Sequence, residues 1–186
     1  ILITSSANDS KMGGIIGTEK GFAVELKDVQ NRGNLNASQV SDTNSLYSGG
    51  FIGKAEGGSV VIEDTDSTGK SNVVNQGHTS IKNAYVNTGA DVTTVYAAGA
   101  IGNIVSAPLS VKGFENIGNI EISGPGKTGK MAGGIVGLSD QSEVTIQNSV
   151  SSGDISLKQI SGKGSFGGLV GKISKADISV TDSTAS

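Results

Sequence analysis

The chain has 186 residues, a formal net charge of −3 and no cysteine. That length supports one domain with a sizeable core, and the absence of cysteine excludes disulfides, thiolate metal sites and cysteine nucleophiles. A single arginine, Arg32, and 13 scattered lysines exclude the clustered basic patch of a nucleic-acid binder.

Valine and isoleucine total 35 residues against 8 leucines, a balance that favours pleated strands. The 29 glycines are about twice the usual share of ~7%. They follow no Gly-X-Y period, so a collagen helix is excluded. No apolar run approaches the ~20 residues of a membrane-spanning helix, so no membrane insertion of this segment is expected.

Taken in chain order, "ILITSS" at the start reads as the last strand of a preceding unit. "GGIIG" follows at Gly13–Gly17, then the alternating aliphatics Val24 and Leu26, Asp28, Gly33 and Leu35. The second unit repeats this with "GGFIG" at Gly49–Gly53, Val60, Ile62, Asp64, Gly69 and Ser71. The third has "AGAIG" at Ala98–Gly102, Leu109, Val111, Gly113, Gly118 and Ile120. The fourth has "GGIVG" at Gly133–Gly137, Val144, Ile146, Asn148, Gly153 and Ile155. The fifth has "GGLVG" at Gly167–Gly171, Ile178, Val180 and Asp182.

Aliphatics two apart share one face of a strand, and Asp, Asn and Gly are turn formers. Each unit of about 35 residues therefore predicts three short strands separated by corners, which suits one coil of a parallel β-solenoid. The expected fold is all-β: a right-handed parallel β-helix of about five units, the hand following the usual preference of β crossovers. The chain begins and ends inside a unit. It is accordingly expected to be one solenoid segment, 1–186, of a longer protein, open at both ends.

Within the block, Gly14, Gly50, Gly99, Gly134 and Gly168 are predicted inward, as are Ile16, Ile52, Ile101, Val136 and Val170. The residue between them (Ile15, Phe51, Ala100, Ile135, Leu169) is expected outward, under a covering loop, unless the strand is buried on both faces. The second unit carries an insertion at about 70–96, read as a protruding loop or an extra partial coil. It contains His78 and Tyr85, the candidate ligand-binding residues.

These pentapeptides resemble the core motif of the GLUG repeat family. "GGLVG" matches it fully, three copies vary one aliphatic, and "AGAIG" is the weakest. The resemblance implies a right-handed β-helix in a large bacterial protein, secreted or on the cell surface, of the adhesin-like or immunoglobulin-A-protease-associated kind. It implies no catalytic residue.

Other motifs are read as structural. "GPGKTGK" at Gly124–Lys130 lacks both the upstream glycine of a phosphate loop and a following helix. Asp64 and Asp66 could share a face for acid–base work on a polysaccharide, but they suit an Asx-rich turn. His78 alone builds no zinc site, and no HExxH is present. No metal, cofactor or catalytic residue is expected. The expected role is a non-catalytic stalk or binding scaffold. The alternatives are an accessory region of a secreted protease and a fragment of a β-helical polysaccharide-degrading enzyme. Expected partners are a host surface glycan or protein, or adjacent domains of the same chain.

Overall fold

The computed structural model of the chain describes residues 2–5, 10–39, 45–66, 68, 70–83, 94–124, 129–158 and 163–186. Among these there are 25 strands and no helix. The strands form five parallel sheets of five strands each, and each strand pairs with its counterparts in the adjacent coils. The protein is a parallel β-helix.

We number the sheets in the order the chain visits them within a coil. Sheet 1 contains Ser10–Gly13, Leu46–Gly49, Val95–Ala98, Lys130–Gly133 and Gly164–Gly167. Sheet 2 contains Ile16–Lys20, Ile52–Glu56, Ile101–Val105, Val136–Asp140 and Val170–Ser174. Sheet 3 contains Ala23–Lys27, Ser59–Glu63, Leu109–Lys112, Val144–Gln147 and Ile178–Thr181. Sheet 4 contains Gln30–Asn31, Val73–Asn75, Phe114–Asn116, Val150–Ser151 and Thr184–Ala185. Sheet 5 contains Leu2–Ser5, Leu35–Gln39, Thr79–Asn83, Ile120–Ser123 and Ile155–Lys158.

A coil thus has five strands where the sequence predicts three. The glycine block is a corner, not a strand. Its first glycine ends sheet 1, the next two residues form a bend, and sheet 2 begins at the β-branched residue. The bend breaks the two-residue alternation, so both residues after the second glycine turn inward. Phe51, Ala100 and Ile135 are 0% exposed, which corrects the outward expectation for this position. In coil 1, whose sheet-2 strand is paired on one side, Ile15 is 43% exposed.

The glycines are required by space. A Cβ on Gly50 would lie 2.1 Å from the Gly99 carbonyl oxygen and 2.5 Å from Asn75 Cγ. One on Gly53 would lie 2.6 Å and 2.7 Å from the Met12 carbonyl oxygen and nitrogen. Sheets 1 and 2 therefore meet backbone to backbone at the corner. After sheet 3 the chain turns through left-handed residues: Asp28 (φ 51°), Gly113 (φ 68°), Asn148 (φ 48°) and Asp182 (φ 48°). The Asx preference at this position is an αL preference.

Two apolar clusters fill the solenoid. One lies among sheets 2, 3 and 4, with Phe51 and Phe114 in edge-to-face contact at 5.4 Å. The other lies between sheets 1 and 5. A polar row runs up the interior opposite the second block glycines. Asn31 Nδ2 donates to Asn75 Oδ1 at 2.8 Å, Asn75 Nδ2 to Asn116 Oδ1 at 2.8 Å, and Asn116 Nδ2 to Ser151 Oγ at 3.3 Å. Each buried amide is satisfied by the coils beside it.

The second unit needs a further correction. Gly77, not Gly69, stacks with Gly33 and Gly118, and Thr79, not Ser71, pairs with Leu35 and Ile120. Residues 73–83 are ordinary coil strands rather than an insertion. The added chain lies in two places. One is 64–72, where other coils use only one or two residues between sheets 3 and 4. The other is the stretch between Asn83 and Val95, of which 84–93, including Tyr85, lies outside the described residues.

Candidate functional site

The corner loop 64–72 of coil 2 departs most clearly from the repeat. Two aspartates organise it as Asx turns. Asp64 Oδ1 accepts the Asp66 N–H at 2.9 Å, and its Oδ2 accepts the Asn72 N–H at 3.0 Å. Asp66 Oδ1 accepts the Thr68 N–H at 3.0 Å. Its Oδ2 accepts the Thr68 hydroxyl at 2.9 Å and the Asn72 amide at 3.0 Å.

The loop is also tied to both neighbouring coils. On one side Asp28 accepts the Thr65 N–H at 2.8 Å and the Thr65 hydroxyl. On the other the Ser71 hydroxyl donates to the Gly113 carbonyl at 2.6 Å. These donors hold two carboxyls below the ordinary aspartate range. For Asp28 the largest cause is the Thr65 hydroxyl, followed by the Thr65 N–H. For Asp66 it is the Thr68 hydroxyl, followed by the Asn72 amide.

The loop walls a groove of about 430 Å³ over coils 3 and 4. Asp64, Asp66 and Lys70 stand on the loop side, Lys112, Gly113 and Glu115 on coil 3, and Asn148 and Val150 on coil 4. Lys112 Nζ lies 3.5 Å from Glu63 Oε1. Val150 is 40% exposed, an aliphatic surface among polar groups.

His78 occupies a different corner, between sheets 4 and 5, and does not line this groove. It belongs to a ladder of side-chain acceptors. Asn34 Oδ1 accepts the His78 N–H, His78 Nδ1 accepts the Asn119 N–H, and Asn119 Oδ1 accepts the Asp154 N–H, each at 3.0 Å. His78 acts here as an asparagine would, and an accepting Nδ1 puts the proton on Nε2. Asp64 and Asp66 on one side and His78 on the other therefore stand at two separate corners, with Val73–Asn75 between them. Asp64 and Asp66 themselves serve the loop.

On the outer side of sheet 1, Tyr47 and Tyr96 stack at 4.9 Å with rings 5° apart. Lys54 Nζ lies 5.2 Å and Lys11 Nζ 5.9 Å from the Tyr47 ring centre. Tyr47 is buried, so this column reads as a stacking device within the coils. Among the described residues no group of three or more His, Asp or Glu side chains could hold a metal ion. With no helix among the described residues, none is long and apolar enough to cross a membrane. The "GPGKTGK" stretch lies mostly outside the described residues.

Sequence reasoning missed Lys70, Lys112, Asn148 and Val150 of the groove. The signal that locates it is the tripeptide N-x-G, present as "NRG" at 31–33, "NQG" at 75–77 and "NIG" at 116–118. "NTG" at 87–89 also fits, but it is the 75–77 copy that is followed two residues on by a strand like those at Leu35 and Ile120. Aligned on this, coil 2 shows its surplus before Val73. No family model, curated protein or solved structure matches the chain.

Proposed function

We propose that this chain is a non-catalytic binding scaffold, a GLUG-type solenoid of a secreted or cell-surface bacterial protein. The observation that carries this reading is the contrast between invariant coils and one anchored corner loop. The asparagine row inside the coils is spent on stacking, and the carboxylates of the loop are spent on holding its shape.

Scaffold fits better than stalk for a reason of scale. Adjacent strands in a sheet sit about 4.8 Å apart, so each coil of some 35 residues adds only that much length. Five coils span roughly 24 Å along the axis. A solenoid invests its residues in a rigid, wide surface, and rigid surfaces lower the ordering cost of binding.

Incubating the purified chain with a panel of polysaccharides and assaying release of reducing ends tests the non-catalytic part. The expected result is no release. Release that disappears in Asp64→Asn or Asp66→Asn would contradict it.

A further inference from the structure

We propose that the groove beside loop 64–72 is a saccharide-binding site, sized for one or two neutral sugar rings. The inference rests on the binding-scaffold reading and assigns its ligand class. Four observations lead to it.

The first is preorganisation. The loop is held at both flanks, by Asp28 through Thr65 and by the Gly113 carbonyl through Ser71. A corner that needs only one or two residues elsewhere spans nine here, and Thr65 and Ser71 tie it to the coils on either side. A mere insertion needs no such ties.

The second is size. A groove of about 430 Å³ falls at the small-molecule end of the ~300–1,000 Å³ typical of ligand sites. Its single exposed aliphatic, Val150, is too little for the clustered anchors of a protein interface.

The third is charge. Asp64, Asp66 and Glu115 contribute three carboxylates, Lys70 and Lys112 two ammonium groups. The balance is close to neutral with a slight acidic excess, which disfavours a phosphate or a polyanion.

The fourth is the interleaving of donors and acceptors. A sugar hydroxyl both donates and accepts, and neighbouring hydroxyls on a ring alternate these demands. Glu115 accepts, while the lysines and the Asn148 amide donate. The C–H face of a pyranose needs an aliphatic floor, and Val150 supplies one between them.

Saturation-transfer NMR with the intact chain tests this, using lactose, maltose and mannobiose as neutral probes. Galacturonate and glucosamine serve as charged comparisons. At least one neutral disaccharide should receive saturation and shift the amide signals of Gly113, Asn148 and Val150. Val150→Thr, which keeps the β-branched shape opposite Glu115, and Lys112→Ala should each weaken that binding at least fivefold while leaving the melting temperature unchanged. Binding unaffected by both variants, shifts confined to another face, or binding of galacturonate alone would overturn the assignment. So would no saccharide binding at all. If the chain then still adheres to host cells, the scaffold reading survives and only the ligand class falls. If it adheres to nothing, both fall.

Discussion

Asn75 is the middle of the buried amide row. Asn31 donates to it, it donates to Asn116 and to the Gly77 carbonyl, and Gly50 leaves room for it. Asn75→Ala should deprive Asn31 Nδ2 of its acceptor and Asn116 Oδ1 of its donor, and lower stability by about 3 kcal/mol. Urea unfolding of the variant checks this, and a loss below ~1 kcal/mol would mean that the row is not a working network. Ser48 gives the opposite expectation. Its buried hydroxyl has no hydrogen-bond partner, and its counterpart in the next coil is Ala97. Ser48→Ala should therefore raise the urea midpoint, by the equivalent of about 1 kcal/mol. The inward aliphatics at 24, 26, 60 and 62 are legible in the sequence, because alternation within a straight strand needs only a period of two. Phe51 and Ile135 are not, because a bend between two glycine-lined strands sets their direction and no local pattern records its angle.

At the scale of elements, loop 64–72 makes two testable demands. Gly113 faces it, and a Cβ there would lie 2.7 Å from Asp64 Cβ. Its φ of 68° already strains an alanine, because the residues at the equivalent corners, Asp28, Asn148 and Asp182, are of the Asx type that tolerates the left-handed region. The contact with Asp64 is the larger cost, and Gly113→Ala should destabilise by about 2–3 kcal/mol in thermal unfolding. Acid should release the loop. A carboxyl held below its ordinary value stabilises the folded state fully above the unfolded aspartate value of ~3.9. That contribution is lost as pH falls through the lower folded values of Asp28 and Asp66. Carboxyl carbon shifts followed through an acid titration should show both midpoints below ~3.9, and Thr65→Val should move the Asp28 midpoint upward. Midpoints at or above the free value would show that these hydrogen bonds do not form.

The same loop explains what the sequence hid. Counting a fixed distance from the glycine block lands on Gly69 because the extra chain precedes sheet 4. The true partner, Gly77, is found only when the coil is aligned on the N-x-G that its stacked amide requires. The Asx-turn character of Asp64 and Asp66 was legible, since it depends on residues two apart. The groove was not, because it joins three coils whose residues are about 35–50 apart in sequence.

For the whole molecule, the central claim is a rigid stack of five in-register coils, with residues 73–83 an integral part of the second. On the outer face of sheet 3, Glu25 pairs with Val61, Val61 with Ser110, Ser110 with Thr145 and Thr145 with Ser179. Four coil steps therefore separate Glu25 from Ser179, roughly 19 Å at ~4.8 Å per step. The absence of native cysteine makes Glu25→Cys with Ser179→Cys a clean pair for spin labels. Pulsed electron spin resonance should return one narrow distance distribution near 20 Å, allowing for the label arms. A broad distribution, or one centred beyond about 30 Å, would contradict the stacking spacing and the scaffold built upon it.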